Sequence, residues 1–495
     1  MSEIKVRNLS FSYDGGITDV FDNVSFSIDT SWRLGFVGRN GKGKTTFLKL
    51  LLGEYEYRGQ IITDTVFTYF PFSVKDRSKT TYEVILEACP DAEDWKIYRE
   101  INKLNVDSDV LFRPFDSLSG GEQTKTLMAA MFINNDKFLL LDEPTDHLDG
   151  LGRKAVSEYL SAKSGFIVVS HDRAFLDGCV DHILAINRTN IEVQNGNFSS
   201  FLENFERTQE FERTQNARLK KDIKRLNDAA KRTEAWAQKT EKEKSRSTGD
   251  KVMGTRVDKG YVGHKAAKLM QRAKATETRI QAAVEQKSRL LRNTEYSDEL
   301  KLRPLTTKAE RLASFKDVQA IYNDCAVGSP VKFDLMRGDR IALDGKNGCG
   351  KSSIVKLLAG VHSEHTGELR ISSGLKISYL PQSIGFLCGT LSEFAKDRRI
   401  DESLLKTILR KLDFTRDLFN ENIGSLSNGQ KKKILLAASL CESAHVYVWD
   451  EPLNFIDIYS RIQIERLIHE FQPTMVFVEH DDAFRQAVAT RVIEL

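Results

Sequence analysis

The stretch that decides the fold is GRNGKGKT, residues Gly38–Thr45, which recurs as GKNGCGKS at Gly345–Ser352. Both copies fit the pattern G-x-x-x-x-G-K-[ST], whose backbone N–H groups hold phosphate oxygens at the N-terminus of a helix. An apolar run precedes each copy (RLGFVG, RIALDG) and another follows it (TTFLKLLLG, SSIVKLLAG). This order predicts a buried strand, a phosphate-binding loop and a helix in each half of the chain.

Three further motif pairs extend the repeat in the same order. They are SLSGGEQ (Ser117–Gln123) with SLSNGQK (Ser425–Lys431), LLLDEPTDHLD (Leu139–Asp149) with VYVWDEPLNFID (Val446–Asp457), and SHD (Ser170–Asp172) with EHD (Glu479–Asp481). The offset between matched residues stays nearly constant, from 307 (Lys44 to Lys351) to 309 (His171 to His480). Because order and spacing both repeat, the chain is predicted to contain two homologous domains.

Apolar runs in both copies end in polar residues, KFLLLDE and HVYVWDE in carboxylates and GFIVVSH and TMVFVEH in histidine. Such runs are typical of buried parallel strands, and α/β folds bind ligands at the carboxyl ends of these strands. We therefore predict an α/β protein with a first ATP-binding domain at 1–197, a linker at 198–312 and a second ATP-binding domain at 313–495.

The composition, 40% hydrophobic and 29% charged, is typical of a globular protein. No apolar run approaches the roughly eighteen residues of a membrane span, and MSEIKVRNLSFSY lacks a secretory apolar core. A cytoplasmic protein is therefore expected. The cysteines lack CxxC spacing, so we expect buried thiols rather than disulfides or metal ligands.

Charge is concentrated in the middle of the chain. Residues 211–280 contain 20 Lys and Arg against 9 Asp and Glu, a net of +11, whereas the whole chain carries only +3. The remainder is therefore mildly acidic, at −8. A basic segment on an acidic body indicates a polyanionic partner for that segment.

The loop residues have assignable roles in ATP binding. Lys44 and Lys351 are expected to reach the β and γ phosphates, and the neighbouring hydroxyls of Thr45 and Ser352 to bind Mg²⁺. The residues assigned to ATP binding in the two loops are Gly38, Asn40, Gly41, Gly43, Lys44, Thr45 and Thr46, and Gly345, Asn347, Gly348, Gly350, Lys351, Ser352 and Ser353.

The strand ends supply the candidate catalytic residues. Asp142 and Asp450 are expected to hold Mg²⁺ through water. The carboxylates that follow, Glu143 and Glu451, are placed to orient or deprotonate the attacking water. The histidines assigned to γ-phosphate contact are His171 and His480.

With LSGGEQ, these motifs resemble the ABC ATPase superfamily over both copies. In that superfamily two ATPase domains form a head-to-tail sandwich, and the signature residues of one domain cap the γ-phosphate held by the other. A helix N-terminus suits that task because its free N–H groups favour an anion. The residues implied to cap are Ser119, Gly120 and Gly121, facing the ATP on Lys351, and Ser427 and Gly429, facing the ATP on Lys44.

Two departures from the superfamily pattern fall at the Lys44 site. The loop glutamine that helps to hold Mg²⁺ is present in the second copy as Gln382, but Phe72 stands at the matched place in the first. The second signature has Asn428 where the first has Gly120. Because phenylalanine cannot bind a metal, we predict that the Lys44 site hydrolyses ATP more slowly. Tyr13 and Tyr322, upstream of the loops, are candidates to stack on adenine, with a core position as the open alternative for each.

The middle segment predicts a helical hairpin. Residues 201–245 lack Pro and Gly and space apolar residues along one face (Leu219, Ile223, Leu226, Ala230), so the first arm could extend about 60–70 Å. Glycines then interrupt the pattern, which resumes at 264–291. The tip near 245–263 suits phosphate contact, and a solvated charged spacer is the alternative. The candidate RNA-contacting residues are Lys251, Arg256, Lys259, His264 and Lys265.

Two ATPase domains, a long charged linker and no membrane segment resemble the ABC-F family of ribosome-acting ATPases. The resemblance implies ATP and Mg²⁺ as cofactors and an intramolecular sandwich in a monomer. It also implies binding at the tRNA exit site of the bacterial 70S ribosome, with the linker near ribosomal RNA, the P-site transfer RNA and the large-subunit drug site.

RPFDSLSGGE, SHDRAF and WDEPLNFID, the short first domain and the ending at Leu495 resemble the antibiotic-resistance branch, in particular its Lsa-type members. That branch protects ribosomes from lincosamides, pleuromutilins and streptogramin A compounds. The leading alternative is a housekeeping translation factor acting on stalled ribosomes without drug. A transporter ATPase subunit would need a membrane partner, and a DNA-repair ATPase would need zinc modules or very long coiled coils.

Overall fold

The computed structural model describes residues 3–13, 19–133, 137–186, 191–246, 300–346 and 348–495. These residues form two compact units. One unit contains both copies of the repeat, and the other begins at Leu202 and contains the described part of the linker. Contacts between the two copies therefore lie inside a single unit.

The first copy is built on a mainly parallel sheet and a smaller antiparallel one. Within the described residues the large sheet has the order β5-β6-β7-β3-β8-β9, antiparallel only at β9, and the small sheet has the order β2-β1-β4. The strands are β1 Glu3–Phe11, β2 Phe21–Asp29, β3 Arg33–Gly38, β4 Arg58–Ile62, β5 Phe67–Phe70, β6 Phe138–Asp142, β7 Phe166–Val169, β8 His182–Ile186 and β9 Ile191–Asn195.

The second copy repeats this arrangement. Its described strands form a parallel sheet, β14-β15-β16-β12-β17, and an antiparallel sheet, β11-β10-β13. The strands are β10 Arg311–Tyr322, β11 Cys325–Met336, β12 Arg340–Asp344, β13 His365–Ile371, β14 Ile377–Leu380, β15 Val446–Asp450, β16 Met475–Val478 and β17 Arg491–Glu494. Because the phosphate loops follow the matched strands β3 and β12, the predicted repeat of two α/β domains is confirmed.

Helices cover these sheets, and their starts follow the sequence. Ser119 and Ser427 cap the helices Gly120–Phe132 and Asn428–Cys441, here called the first and second signature helices, in reciprocal capping boxes. The other helices are Lys44–Leu51, Thr81–Ala88, Asp94–Lys103, Gly150–Ser161 and Arg173–Cys179 in the first domain, and Lys351–Leu358, Leu391–Asp397, Glu402–Lys411, Ile458–Phe471 and Asp482–Val488 in the second.

The linker begins with one long helix, Phe198–Arg246, of 49 residues. At 1.5 Å per residue it is about 70 Å long, so the predicted helical first arm is confirmed. Leu219 and Ile223 on its apolar positions are half-buried. The side chains of Leu226 and Ala230, the tip residues and the second arm at 264–291 lie outside the described residues.

The six cysteines are all free thiols. Cys179 and Cys441 are buried, as expected, but the expectation of burial is wrong for Cys325 and Cys388, which are exposed on the second domain. In the described part of the chain, none of the helices combines the length and the apolar composition needed to cross a bilayer.

Glu100 is a buried carboxylate that ties together helices of the first domain. Its side chain is fully buried and accepts hydrogen bonds from the Tyr159 hydroxyl and the Lys163 ammonium group, both at 2.6 Å. Burial alone would raise the pKa of Glu100, but the hydrogen bonds from Lys163 and Tyr159 outweigh it and hold the pKa at about 2. The ionised carboxylate therefore stabilises the folded domain.

Replacing Glu100 by glutamine should remove a pH-dependent part of this stability. Because the folded pKa lies below the unfolded value, the contribution, about 3 kcal/mol, is fully present above about pH 5 and is lost as the pH falls from 4.5 toward 2. Urea unfolding at pH 7, 4 and 3 measures the difference between the wild type and the variant, which should shrink with acid. Glu87→Gln, at an exposed ion pair with Lys79, is the control, and a pH-independent difference for Glu100→Gln would contradict the assignment.

Candidate ATP-binding sites at the domain interface

The two phosphate loops have the same backbone geometry. Gly43 and Gly350, just before the helices, adopt left-handed conformations with φ of 91° and 102°. A Cβ at Gly43 would also lie 2.5 Å from a Val20 methyl carbon, so only glycine fits there. Lys44 donates to the Gly38 carbonyl at 2.9 Å, and Lys351 donates to the Gly345 carbonyl at 2.7 Å. Each lysine is thus held across its own loop, where phosphate oxygens would bind.

Two of the predicted magnesium ligands meet in each domain, whereas Gln382, the other predicted ligand, donates its amide to Glu451. Thr45 donates to Asp142 at 2.7 Å, and Ser352 donates to Asp450 at 3.0 Å. The other oxygen of Asp450 is buried and has no hydrogen-bond partner, and burial raises the pKa of this carboxyl to about 6. A buried, unpartnered carboxylate oxygen beside a hydroxyl fits Mg²⁺, which prefers oxygen ligands.

No cluster of three or more His, Cys, Asp or Glu side chains suited to a metal occurs among the residues that the structure describes. A magnesium ion at these positions would therefore rely on nucleotide phosphates and water for its other ligands. When bound, Mg²⁺ neutralises charge on the transferring phosphoryl group.

Tyr69 is a neighbour of the first metal position that the motifs do not reveal. Its hydroxyl donates to Asp142 at 2.8 Å, on the same oxygen that accepts from Thr45. Burial raises the pKa of this phenol above its usual value, and the Asp142 charge adds to the shift. Tyr69 thus fills part of the space around Asp142 in the domain that has Phe72 in place of the loop glutamine.

The candidate catalytic carboxylates share a backbone conformation but have different neighbours. Glu143 and Glu451 are both left-handed, with φ of 46° and 47°. Glu451 accepts from the Gln382 amide at 2.7 Å and the Asn454 amide at 2.5 Å, and its other oxygen lies 3.6 Å from His480. These contacts fix the orientation of the second carboxylate.

Glu143 lacks amide neighbours at the matched positions. The residue matched to Asn454 is Asp146, a second acid, and the residue matched to Gln382 is Phe72. His171 lies 3.3 Å from Glu143. Burial raises the pKa of Glu143 to about 8 and repulsion by Asp146 adds to the rise. Burial acts in the same direction on Glu451, but the nearby His480 and the hydrogen bond from Gln382 outweigh it and lower its pKa.

The second domain closes over the first phosphate loop. The Asn40 amide donates to the Phe455 carbonyl at 2.6 Å, and the Asn40 oxygen lies 3.0 Å from His171. A Cβ at Gly429 would lie 3.1 Å from the Asn40 amide nitrogen. The second signature helix therefore starts beside the Lys44 site, in the head-to-tail arrangement that the resemblance implies.

Charged residues hold the two domains together beside the Lys44 site. Arg39, 3% exposed, lies 3.7 Å from Asp413 and over the Tyr459 ring at 5.8 Å. Arg173, two residues after His171, makes a two-pronged ion pair with Glu465, one prong at 3.1 Å. Such planar pairing is a strong, directional contact. The first domain is thus held to the second around the Lys44 site.

The matched positions on the Lys351 side make no equivalent pair. In the alignment of the two copies, Asp482 corresponds to Arg173 and Ser157 corresponds to Glu465. Asp482 and Ser157 line a cavity of about 590 Å³ between the domains. A larger cavity of about 1630 Å³ contains both lysines and both signature motifs, including Ser119, Gly120 and Gly121. The described residues therefore place an ion pair between the domains on the Lys44 side and a cavity at the matched positions on the Lys351 side.

The adenine candidates differ from each other. Tyr13 lines the large cavity, is 47% exposed, and its hydroxyl lies 2.7 Å from that of Thr46. Tyr322 instead stacks on His362, with ring centroids 4.3 Å apart. The geometry favours the stacking role only for Tyr13. Asn347, in the second phosphate loop, lies outside the described residues.

Comparisons with known proteins identify the family. The family model described as "ABC transporter" matches residues 21–146 and 329–454, just over half of the chain. The ribosome protection protein VmlR of Bacillus subtilis is 26% identical over 98% of this chain and 85% of its own length. ABC transporter F family member 5 of Arabidopsis thaliana is 26% identical over 100% of this chain and 75% of its own.

A solved structure gives the same fold. The archaeal ribosome recycling factor aABCE1, in a complex with the archaeal ribosomal stalk protein aP1, has a TM-score of 0.62 at 20% identity, covering 98% of this chain and 87% of that one. The predicted class of two tandem ABC-type ATP-binding domains is therefore confirmed. The chain belongs to the ABC transporter family, and it is an ATPase with two ATP-binding domains.

Proposed function

We propose that this ATPase is an ABC-F ribosome protection protein of the antibiotic-resistance branch, similar to its Lsa-type members. It binds the tRNA exit site of the bacterial 70S ribosome. Its linker then dislodges lincosamide, pleuromutilin and streptogramin A drugs from the large subunit. The observation that carries the proposal is the 49-residue linker helix. The similarity over 98% of the chain to a relative named as a ribosome protection protein supports it.

The charge along the linker helix supports an RNA partner. Its first three turns carry the exposed acidic residues Glu203 and Glu206 and one exposed cation, Arg207, which pairs with Glu203. Exposed cations follow from residue 218 onward, Arg218, Lys221, Lys224, Arg225 and Arg232. Cations on a narrow helix neutralise phosphates without reading base sequence. The candidate contacts at the tip, Lys251, Arg256, Lys259, His264 and Lys265, extend this charge in the sequence.

The proposed cycle uses both ATP sites. ATP and Mg²⁺ on the two phosphate loops close the sandwich, and the closed state binds the ribosome. Glu143 and Glu451 orient or deprotonate the attacking water, with His171 and His480 at the γ-phosphate, and hydrolysis releases the protein. In this proposal residues 1–197 form the first ATP-binding domain, 198–312 the linker and 313–495 the second ATP-binding domain. The protein acts as a monomer in the cytoplasm.

A Glu143→Gln, Glu451→Gln double variant tests the proposal, because it should bind ATP without hydrolysing it. Co-sedimentation with bacterial 70S ribosomes should require ATP and weaken steeply with salt, and bound labelled lincosamide should fall by about tenfold or more. A Lys44→Ala, Lys351→Ala variant, which loses the phosphate-binding lysines, is the control and should not sediment.

The outcomes separate the competing functions. ATP-dependent binding with loss of drug supports ribosome protection. Binding with no loss of drug contradicts it and favours a housekeeping factor that acts on stalled ribosomes. If the ATP-loaded double variant does not sediment with ribosomes, the ABC-F assignment fails, and the linker needs another anionic partner.

A further inference from the structure

Lys432 is a buried lysine that the motifs leave without a role. It lies on the second signature helix, five residues after Ser427, and is 1% exposed. Its ammonium group donates to the Pro381 carbonyl at 3.0 Å and to the Asp450 carbonyl at 3.3 Å. A buried ammonium group is costly unless its hydrogen bonds are made, so these two contacts hold the lysine in one position.

Both carbonyls belong to the Lys351 site. Pro381 immediately precedes Gln382, whose amide donates to Glu451 at 2.7 Å. Asp450 is the candidate magnesium ligand immediately before Glu451. Lys432 thus fixes the backbone on both sides of the contact between Gln382 and Glu451.

The same helix begins at the other site. Ser427 caps it and lines the large cavity, and a Cβ at Gly429 would approach the Asn40 amide to 3.1 Å. From Ser427 to Lys432 the helix rises about 7.5 Å. One rigid turn and a half therefore connects the start of the helix, beside Lys44, with the backbone that holds Glu451.

Further polar contacts tie the second signature helix to its sheet. The Trp449 indole nitrogen donates to the Ser439 hydroxyl at 2.9 Å, and that hydroxyl lies 2.8 Å from the Ser378 hydroxyl. All three residues are buried. Movement of the helix would therefore carry β14 and β15 with it, since a satisfied buried polar network makes the surrounding core rigid.

The first domain is built differently at the matched positions. Thr124 stands in place of Lys432, and its hydroxyl donates to the Gly120 carbonyl in its own helix at 2.9 Å. Met131 and Leu141 stand in place of Ser439 and Trp449. The connection from signature helix to catalytic backbone is therefore a feature of the second domain.

We propose that Lys432 is a positioning residue that couples the two ATP sites in one direction. Nucleotide at the Lys44 site, capped by the second signature helix, sets through Lys432 the position of Gln382 and Glu451, and so the hydrolysis rate at the Lys351 site. This inference rests on the roles proposed above for Glu451 and the second signature, and it does not depend on the ribosome.

The test isolates hydrolysis at the Lys351 site in a Glu143→Gln background. Adding Lys44→Ala removes nucleotide from the other site, and the ratio of turnover without and with Lys44→Ala measures the coupling. We expect a ratio of about ten. Lys432→Met, which keeps the apolar stem of the side chain, should bring the ratio to within about twofold of one, as expected when a coupling contact is lost.

Matched variants separate positioning from general damage. Lys431→Met removes the neighbouring lysine, which donates to the Gly424 carbonyl at 2.8 Å, and should keep the ratio. Lys432→Arg retains a cation and donors, and should restore part of it. Thermal unfolding checks each variant, and if Lys432→Met does not fold, Lys432→Gln is tested by the same ratio.

Three results would overturn the inference. They are a ratio of one in the reference background, an undiminished ratio after Lys432→Met or its substitute, and an equal loss after Lys431→Met. Failure of the proposed catalytic role is distinguishable, because turnover would then survive Glu451→Gln in the Glu143→Gln background.

Discussion

Glu451→Gln should lower the steady-state rate of ATP hydrolysis by about 100-fold, whereas Glu143→Gln should lower it by about twofold or less. The reason is orientation. Glu451 is held by two amide donors, Gln382 at 2.7 Å and Asn454 at 2.5 Å. A general base must be fixed within hydrogen-bond reach of its water to act. Turnover measured with saturating ATP and Mg²⁺ decides the comparison.

The residues around Glu143 provide the control for this prediction. Phe72→Gln with Asp146→Asn would give the first site the amides that the second site has. In the Glu451→Gln background these changes should raise the residual turnover several-fold. In otherwise wild-type protein, Gln382→Phe should lower turnover by about tenfold. An equal loss after Glu143→Gln and Glu451→Gln would contradict unequal sites.

Local sequence determines much of what could be predicted. The phosphate loops need glycine at left-handed positions such as Gly43 and Gly350, and this requirement is visible as a spacing of residues. The starts of the signature helices are visible too, because Ser119 with Glu122 and Ser427 with Gln430 are capping boxes within four residues. The α/β class and the order of the elements follow from signals of this kind.

The contacts between domains could not be predicted in this way. Asn40 meets the Phe455 carbonyl 415 residues away in sequence, and Arg173 meets Glu465 292 residues away. No local period specifies such pairs, since they depend on how two folded domains pack together. Tyr69 is likewise an ordinary strand residue until β5 and β6 place it beside Asp142.

A signal for part of the difference between the sites was nevertheless present. When the sequences of the two copies are aligned, Asp146 corresponds to Asn454, Thr124 to Lys432, and Arg173 to Asp482. At each of these three positions the side-chain charge differs between the two copies, inside or beside a shared motif. Comparison of the copies could therefore have located the asymmetry, although only the structure shows which partner each charge has.

Reversing the charge at Arg173 should also lower ATP turnover strongly. Arg173→Glu would place two carboxylates where Arg173 and Glu465 now pair, and both side chains are only 12% exposed. Removing one partner of a buried pair costs about 3–5 kcal/mol. Because Arg173 and Glu465 join the two domains, this loss destabilises the closed interface. We expect ATP turnover to fall by at least about tenfold.

The reciprocal variant shows whether the pair itself is responsible. Arg173→Glu combined with Glu465→Arg should restore turnover to within a few-fold of wild type. Lys316→Glu, at a half-exposed pair with Glu368 at 3.2 Å, is the matched control and should change little, because surface pairs contribute about 0–1 kcal/mol. If the double variant is as slow as Arg173→Glu alone, Arg173 acts on His171 and its loop rather than across the interface. In that case Arg39 and Asn40 would be the residues that hold the two domains together beside the Lys44 site.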